Sequence, residues 1–94
     1  MREMIDKYFM AKNIKKIAIY GNNNEKKQMI DLIEKSTDIS IVDISDAEIV
    51  VVTDDINYLE IEKEISEKFL VEIISLKEMI DKIYANKKYI ISEG

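Results

Sequence analysis

IAIYGNNNEKK, residues 17–27, decides how the rest of the chain is read. An apolar run, Ile17 to Tyr20, meets Gly21, then three asparagines, then a charged segment built like a helix start. A strand that turns through glycine into a helix is the βα junction of an open α/β sheet, where helix N-terminal amides can receive a phosphate. In the dinucleotide fingerprint the first glycine makes the turn, the second admits the pyrophosphate, and the third lets helix pack on strand. Here Gly21 stands first, but Asn23 and Lys26 hold the second and third places. Asparagine tolerates the left-handed region, so the turn is feasible. Two readings stay open. In one, Gly21, Asn22, Asn23 and Asn24 form a reduced phosphate site helped by Lys26 or Lys27. In the other they are a strand-to-helix connection capped by Asn22, with Glu25 completing a capping box.

Outward from this junction the pattern alternates. Met4, Ile5, Tyr8 and Phe9 fall at helical spacing, which predicts a lead-in helix over 2–12. Residues 14–20, IKKIAIY, form the first strand, and Met29, Ile30 and Ile33 line the following helix. DISIV, 38–42, alternates as a half-wet edge strand. EIVVV, 48–52, is a continuous β-branched run of the kind buried on both faces of a parallel sheet. Tyr58, Ile61, Ile65 and Phe69 mark the next helix, VEII (71–74) a fourth strand, and Ser75 with Glu78 a capping box for a last helix. The tail KKYII either adds a short strand or packs on a neighbour.

Strands alternating with helices predict three α/β/α layers around a four-stranded, mainly parallel sheet of order 2-1-3-4, with an N-terminal helix. The chain divides into that helix (1–13), an α/β core (14–85) and a tail (86–94), all within one domain, 1–94. Only residues 43–47 separate the second and third strands, whereas a parallel crossover takes about a dozen. A bare loop crossing back is preferred to an antiparallel edge strand.

Composition narrows function. No cysteine and no histidine are present among the 94 residues, which removes thiolate chemistry, disulfides and the usual general base and metal ligand. The formal charge of −5 opposes a nucleic-acid backbone. No apolar run reaches the roughly 20 residues that span a bilayer, and MREMIDKYFM lacks a signal-peptide core. A cytoplasmic location follows as the expectation, with no membrane insertion.

NIKKIAIYG (13–21), EIVVVTDD (48–55) and VEIISLKEMIDKIY (71–84) resemble a small Rossmann-like domain attached to bacterial glycosyltransferases and other surface-polysaccharide biosynthesis proteins. The similarity spans roughly residues 8–85. The pattern here lacks the later glycines and shortens the segment before the VVT strand. The resemblance implies a Rossmann-like fold, an accessory or regulatory role, and at most weak binding of a nucleotide or nucleotide sugar. A second resemblance, to the BRCT domain, rests on strand order and the bare loop, and implies a protein-interaction module without a small-molecule ligand. The glycine pair and tryptophan common in BRCT domains are absent.

Two further sites complete the candidates. Asp43, 22 positions after Gly21, stands where an acid can accept ribose hydroxyls, or where a solvated loop acid is ordinary. Thr53, Asp54 and Asp55 follow the third strand at the ligand-binding end of such a sheet; aspartates there also cap helices, and a metal needs more converging oxygens. No nucleophile–base constellation is found, so a non-catalytic protein is expected. The terminal apolar segments (Met4, Ile5, Tyr8 and Phe9; Tyr84, Tyr89, Ile90 and Ile91) either pack on their own domain or form a homo-oligomer or partner-enzyme surface.

Overall fold

The computed structural model describes residues 2–35 and 38–85. Helix α1 (Arg2–Ala11) is followed by β1 (Lys16–Tyr20), α2 (Asn24–Glu34) and β2 (Ser40–Ile41). A 3-10 turn at Ile44–Asp46 then leads to β3 (Ile49–Val52), α3 (Tyr58–Lys68), β4 (Glu72–Ser75) and α4 (Leu76–Ala85). The sheet order is β2-β1-β3-β4 and every pair is parallel. This is the small α/β Rossmann-like arrangement expected from the sequence. The extra strand considered for the tail lies outside the described residues.

Two apolar layers sandwich the sheet. On the first face Ile17, Ile49, Val51 and Ile74 meet Ile5, Tyr8 and Phe9 of α1, Met29 and Ile33 of α2, and Met79 and Ile83 of α4. On the second face Ala18, Val50 and Val52 meet Ile65 of α3, with Ile61, Phe69 and Ile73 beside them. Both faces of β3 are therefore covered, and Ile49 to Val52 are all fully buried. That is why the segment needs apolar residues at every position rather than at alternate ones.

The bare loop is confirmed, and it has a consistent place. β1 to β2 steps toward one edge, with α2 on the first face. β2 to β3 steps the opposite way, and its connection lies on the second face, where Ile44 and Ala47 pack. β3 to β4 continues that way with α3 on the same face. The three crossovers thus share one hand, as parallel connections almost always do.

The N-terminal apolar stripe packs inward, not outward. Ile5, Tyr8 and Phe9 are buried in the first-face core, and α1 ends in a Schellman-type turn. Asn13 takes a positive φ of 59°. Ile14 N–H donates to Phe9 C=O at 2.9 Å and Asn13 N–H to Met10 C=O at 3.0 Å. Lys12 then reaches Glu72 on β4 at 2.9 Å.

The edges of the elements depart from expectation in physically traceable ways. β1 starts at Lys16 rather than at 14, because residues 13 and 14 finish the helix cap. β2 pairs only at Ser40 and Ile41, because the chain bends away into the 3-10 turn. The foot of β1 is tied to the start of β3 by a contact no local pattern announces: Glu48 Oε1 accepts from the amides of Lys15 (2.7 Å) and Lys16 (2.9 Å).

Those amides hold the Glu48 carboxyl below its ordinary 4.5. A depressed carboxyl contributes stability above its unfolded pKa and loses it as pH falls through the folded one. Burial, then the nearby Glu62 charge, pushes Tyr58 up from 10.0 to about 12. That contribution is present below pH 10.0 and is lost as pH rises toward about 12. Urea midpoints measured across pH should therefore show Glu48→Gln destabilised at neutral pH, with the gap to wild type closing below pH 4.5. Tyr58→Phe should flatten the alkaline limb. A gap for Glu48→Gln that persists unchanged at acid pH contradicts the assignment.

Candidate functional site

The C-terminal ends of β1 and β3 lie side by side, with Tyr20 paired to Val52. Continuing that register places Gly21 against Thr53. The approach is too close for any side chain at residue 21. A Cβ there would sit 1.9 Å from Thr53 Oγ1 and 3.2 Å from Thr53 Cβ. Glycine is thus required by the neighbouring strand as well as by the turn. The backbone of Gly21 has φ +157°.

Asn23, not Asn22, caps α2. Its Oδ1 accepts from the Lys26 amide at 3.2 Å and from the Thr53 hydroxyl at 2.9 Å. Its Nδ2 donates to the Thr53 carbonyl at 3.0 Å. The Thr53 hydroxyl also lies 3.3 Å from the Tyr20 carbonyl, which accepts from the Thr53 amide at 2.9 Å. One asparagine amide therefore clasps helix α2 to the end of β3. The residue expected to complete a capping box, Glu25, belongs one register off, because the three asparagines are equivalent until Thr53 selects one.

The clasp uses one of the groups an anion would need. The Lys26 amide, one of the helix-start donors available to an anion, is already bonded to Asn23. Beside the clasp a surface hollow of about 350 Å³ is lined by Tyr20, Gly21, Asn22, Lys26 and Asp54, and across from them by α3. From α3 come Ile61 and the acids Glu60 and Glu64, and Asn57 stands just before it. Three carboxylates face one lysine, a balance that disfavours an anionic ligand. Asn24 lies apart from it, with Asn22, Asn23, Glu25, Lys26, Lys27 and Ile30, around a second hollow at the start of α2.

Asp54 works as a local cap. Its carboxylate accepts from the Asn57 amide at 3.1 Å and from the Asn57 side chain at 3.0 Å. The side-chain bond first, then the backbone one, hold it below its ordinary 3.8. Asp55 is exposed. Asp43 opens the 3-10 turn, is exposed, and makes no capping bond with its side chain. It lines neither hollow. The structure therefore joins Gly21, Asn23 and Thr53 directly, places Asn22 and Asp54 on the adjoining rim, and leaves Asn24 and Asp43 to one side. Among the described residues, no group of three or more carboxylates converges as a metal site would require.

Sequence reasoning missed Glu60, Ile61 and Glu64 as neighbours of the glycine turn. Their only signal was topological: α3 lies on the second face, over the strand ends.

Among the described residues no helix is long and apolar enough to cross a membrane. Compared with protein-family models, with curated proteins and with solved structures, the chain matches none of them.

Proposed function

We propose that the chain is a non-catalytic accessory or regulatory domain of the surface-polysaccharide and glycosyl-transfer kind, in which binding of a nucleotide or nucleotide sugar is at most weak. The observation that supports weak binding is the Asn23 clasp, whose Oδ1 bonds the Lys26 N–H. The acid-lined hollow beside it acts in the same direction. The pathway rests on the motifs in 13–21, 48–55 and 71–84 alone.

The test is a thermal-shift titration with NAD, ATP and UDP-sugars at 10 mM. A ligand with a Kd of about 1 mM would add roughly 1.4 kcal/mol under those conditions, or about 6–11 °C for a domain of this size. The expected shift is below about 2 °C for every ligand, in keeping with the weak limit. A saturable shift of several degrees overturns this reading and restores a nucleotide site at Gly21, Asn22 and Asp54.

A protein-interaction module without a ligand is the second reading. It is favoured by large apolar side chains left in water: Ile56 is 94% exposed, Leu59 77% and Leu70 107%. Single exposed apolar residues are ordinary, but Ile56 and Leu59 fall within one turn beyond the C-terminal end of β3.

A further inference from the structure

We infer that Ile56 and Leu59, ringed by acids, form the docking surface for a basic amphipathic helix of another protein. The inference rests on the interaction reading and deepens it by naming the surface and the chemistry of the partner.

The first observation is a staple left open. Asn57 is the N-cap of α3, so Ile56 stands just before the cap and Ile61 at the fourth helical position. Apolar residues at those two positions ordinarily close on each other and fix the entry of the chain. Here Ile61 packs against the second-face core, while Ile56 is left almost wholly in water. Asp54 accepts from the Asn57 amide at 3.1 Å and from its side chain at 3.0 Å. Those two bonds close a ring around residues 55 and 56. Ile56 is therefore presented from a hydrogen-bonded turn rather than from a loose loop, which lowers the ordering cost of binding. Leu59, in the first turn of α3, is exposed as well. A spacing of three residues is that of a ridge which packs into the grooves of another helix.

The second observation is the charge around this ridge. Residues 54–64 carry five acids, Asp54, Asp55, Glu60, Glu62 and Glu64, against one base, Lys63. Asp55, Glu60 and Glu64 are exposed. Asp54 bonds the neutral amide of Asn57 and Glu62 the neutral hydroxyl of Tyr58, so both carboxylates keep their charge. An apolar centre inside a polar rim is the anatomy of a protein interface, and an acidic rim selects a basic counterpart. A second copy would set this rim against itself in a two-fold contact. An anionic lipid surface would meet the same repulsion. A helix whose apolar stripe is flanked by lysine or arginine matches both the ridge and its rim.

Amide-shift titration of the isotope-labelled full chain with a helical peptide of leucine and lysine, apolar on one face, tests the inference. A counterpart with glutamate in place of lysine is the control. Expected is saturable movement of the amides of residues 54–62 with the lysine peptide, with a Kd below about 1 mM. Ile56→Ser with Leu59→Ser keeps the net charge and should weaken binding by at least about tenfold. Both positions are exposed, so the amide spectrum of that variant should keep the dispersion of the wild type. Asp55→Asn with Glu60→Gln should also weaken binding, as should added salt.

Movement spread over acids elsewhere, and unchanged in the serine variant, overturns the inference, since charge alone would then attract the peptide. Equal binding of the glutamate peptide at residues 54–62 overturns the basic partner but leaves docking of a different protein in place. Self-association of the wild type in sedimentation equilibrium, lost in the serine variant, assigns the ridge to a second copy and overturns it too. Binding of neither peptide overturns it together with the interaction reading at this surface.

Discussion

Gly21→Ala is expected to lower the melting temperature by at least about 8 °C. The new methyl would lie 1.9 Å from Thr53 Oγ1, a distance no pair of non-bonded atoms sustains. Thr53 is 5% exposed and its hydroxyl is bonded to Asn23, so it has no room to retreat without breaking the clasp. Overpacking costs about 1–3 kcal/mol, and the buried hydroxyl stripped of its partner about 1–3 more. A sum of about 2–6 kcal/mol is a large fraction of the roughly 5–15 kcal/mol a domain holds, and each 1 kcal/mol moves Tm by about 4–8 °C at this size. The double variant Gly21→Ala with Thr53→Ala removes the clashing oxygen and should recover part of the loss. Differential scanning calorimetry on the four proteins of the cycle reads this as non-additivity. Simple additivity would show that Thr53 is not what requires the glycine.

Phe9→Asp should abolish the folded state altogether. Phe9 is 0% exposed, packed edge-on against Tyr8 at a centroid distance of 5.4 Å and set in the first-face core. Losing the ring costs about 3–5 kcal/mol. The substitute also buries a carboxylate with no cation or donor arranged for it, a further penalty of several kcal/mol. Far-UV circular dichroism at 25 °C and the amide proton spectrum should both report an unfolded chain, while Phe9→Leu should fold with a modest loss. Were this stripe a dimer face, Phe9→Asp would instead give a folded monomer. In the structure Ile5, Tyr8 and Phe9 are buried against their own sheet.

The parts legible in the sequence share a cause. Val50, Val51 and Val52 can only be a strand covered on both sides, because β-branched residues at consecutive positions have no wet face to present. The Ser75 cap was equally plain: its hydroxyl accepts from the Glu78 amide at 3.0 Å, a bond made between residues three apart. The order 2-1-3-4 followed from alternation and from the rule of hand. In each case the deciding interaction is local or is imposed by the covalent order of elements.

The site was less legible. Three consecutive asparagines offer the same side chain to the same helix start, and local chemistry leaned toward Asn22 through Glu25. Asn23 was selected by Thr53, 30 residues away. Asp43, placed by spacing alone, fell outside the hollow because the loop after β2 coils into a 3-10 turn. Two of the acids beside Gly21, Glu60 and Glu64, come from α3, whose side of the sheet is not a property of its own sequence.

The sequence by itself determined the elements, their order in the sheet and which strand is buried, since backbone hydrogen bonding and apolar periodicity act over a few residues. Only the tertiary structure decided which residues the glycine turn touches. Pairing β1 with β3 brings Gly21 under Thr53 and hands the Thr53 hydroxyl to Asn23. A junction with the outline of a phosphate cradle is thereby tied to the end of β3 through the Asn23 amide.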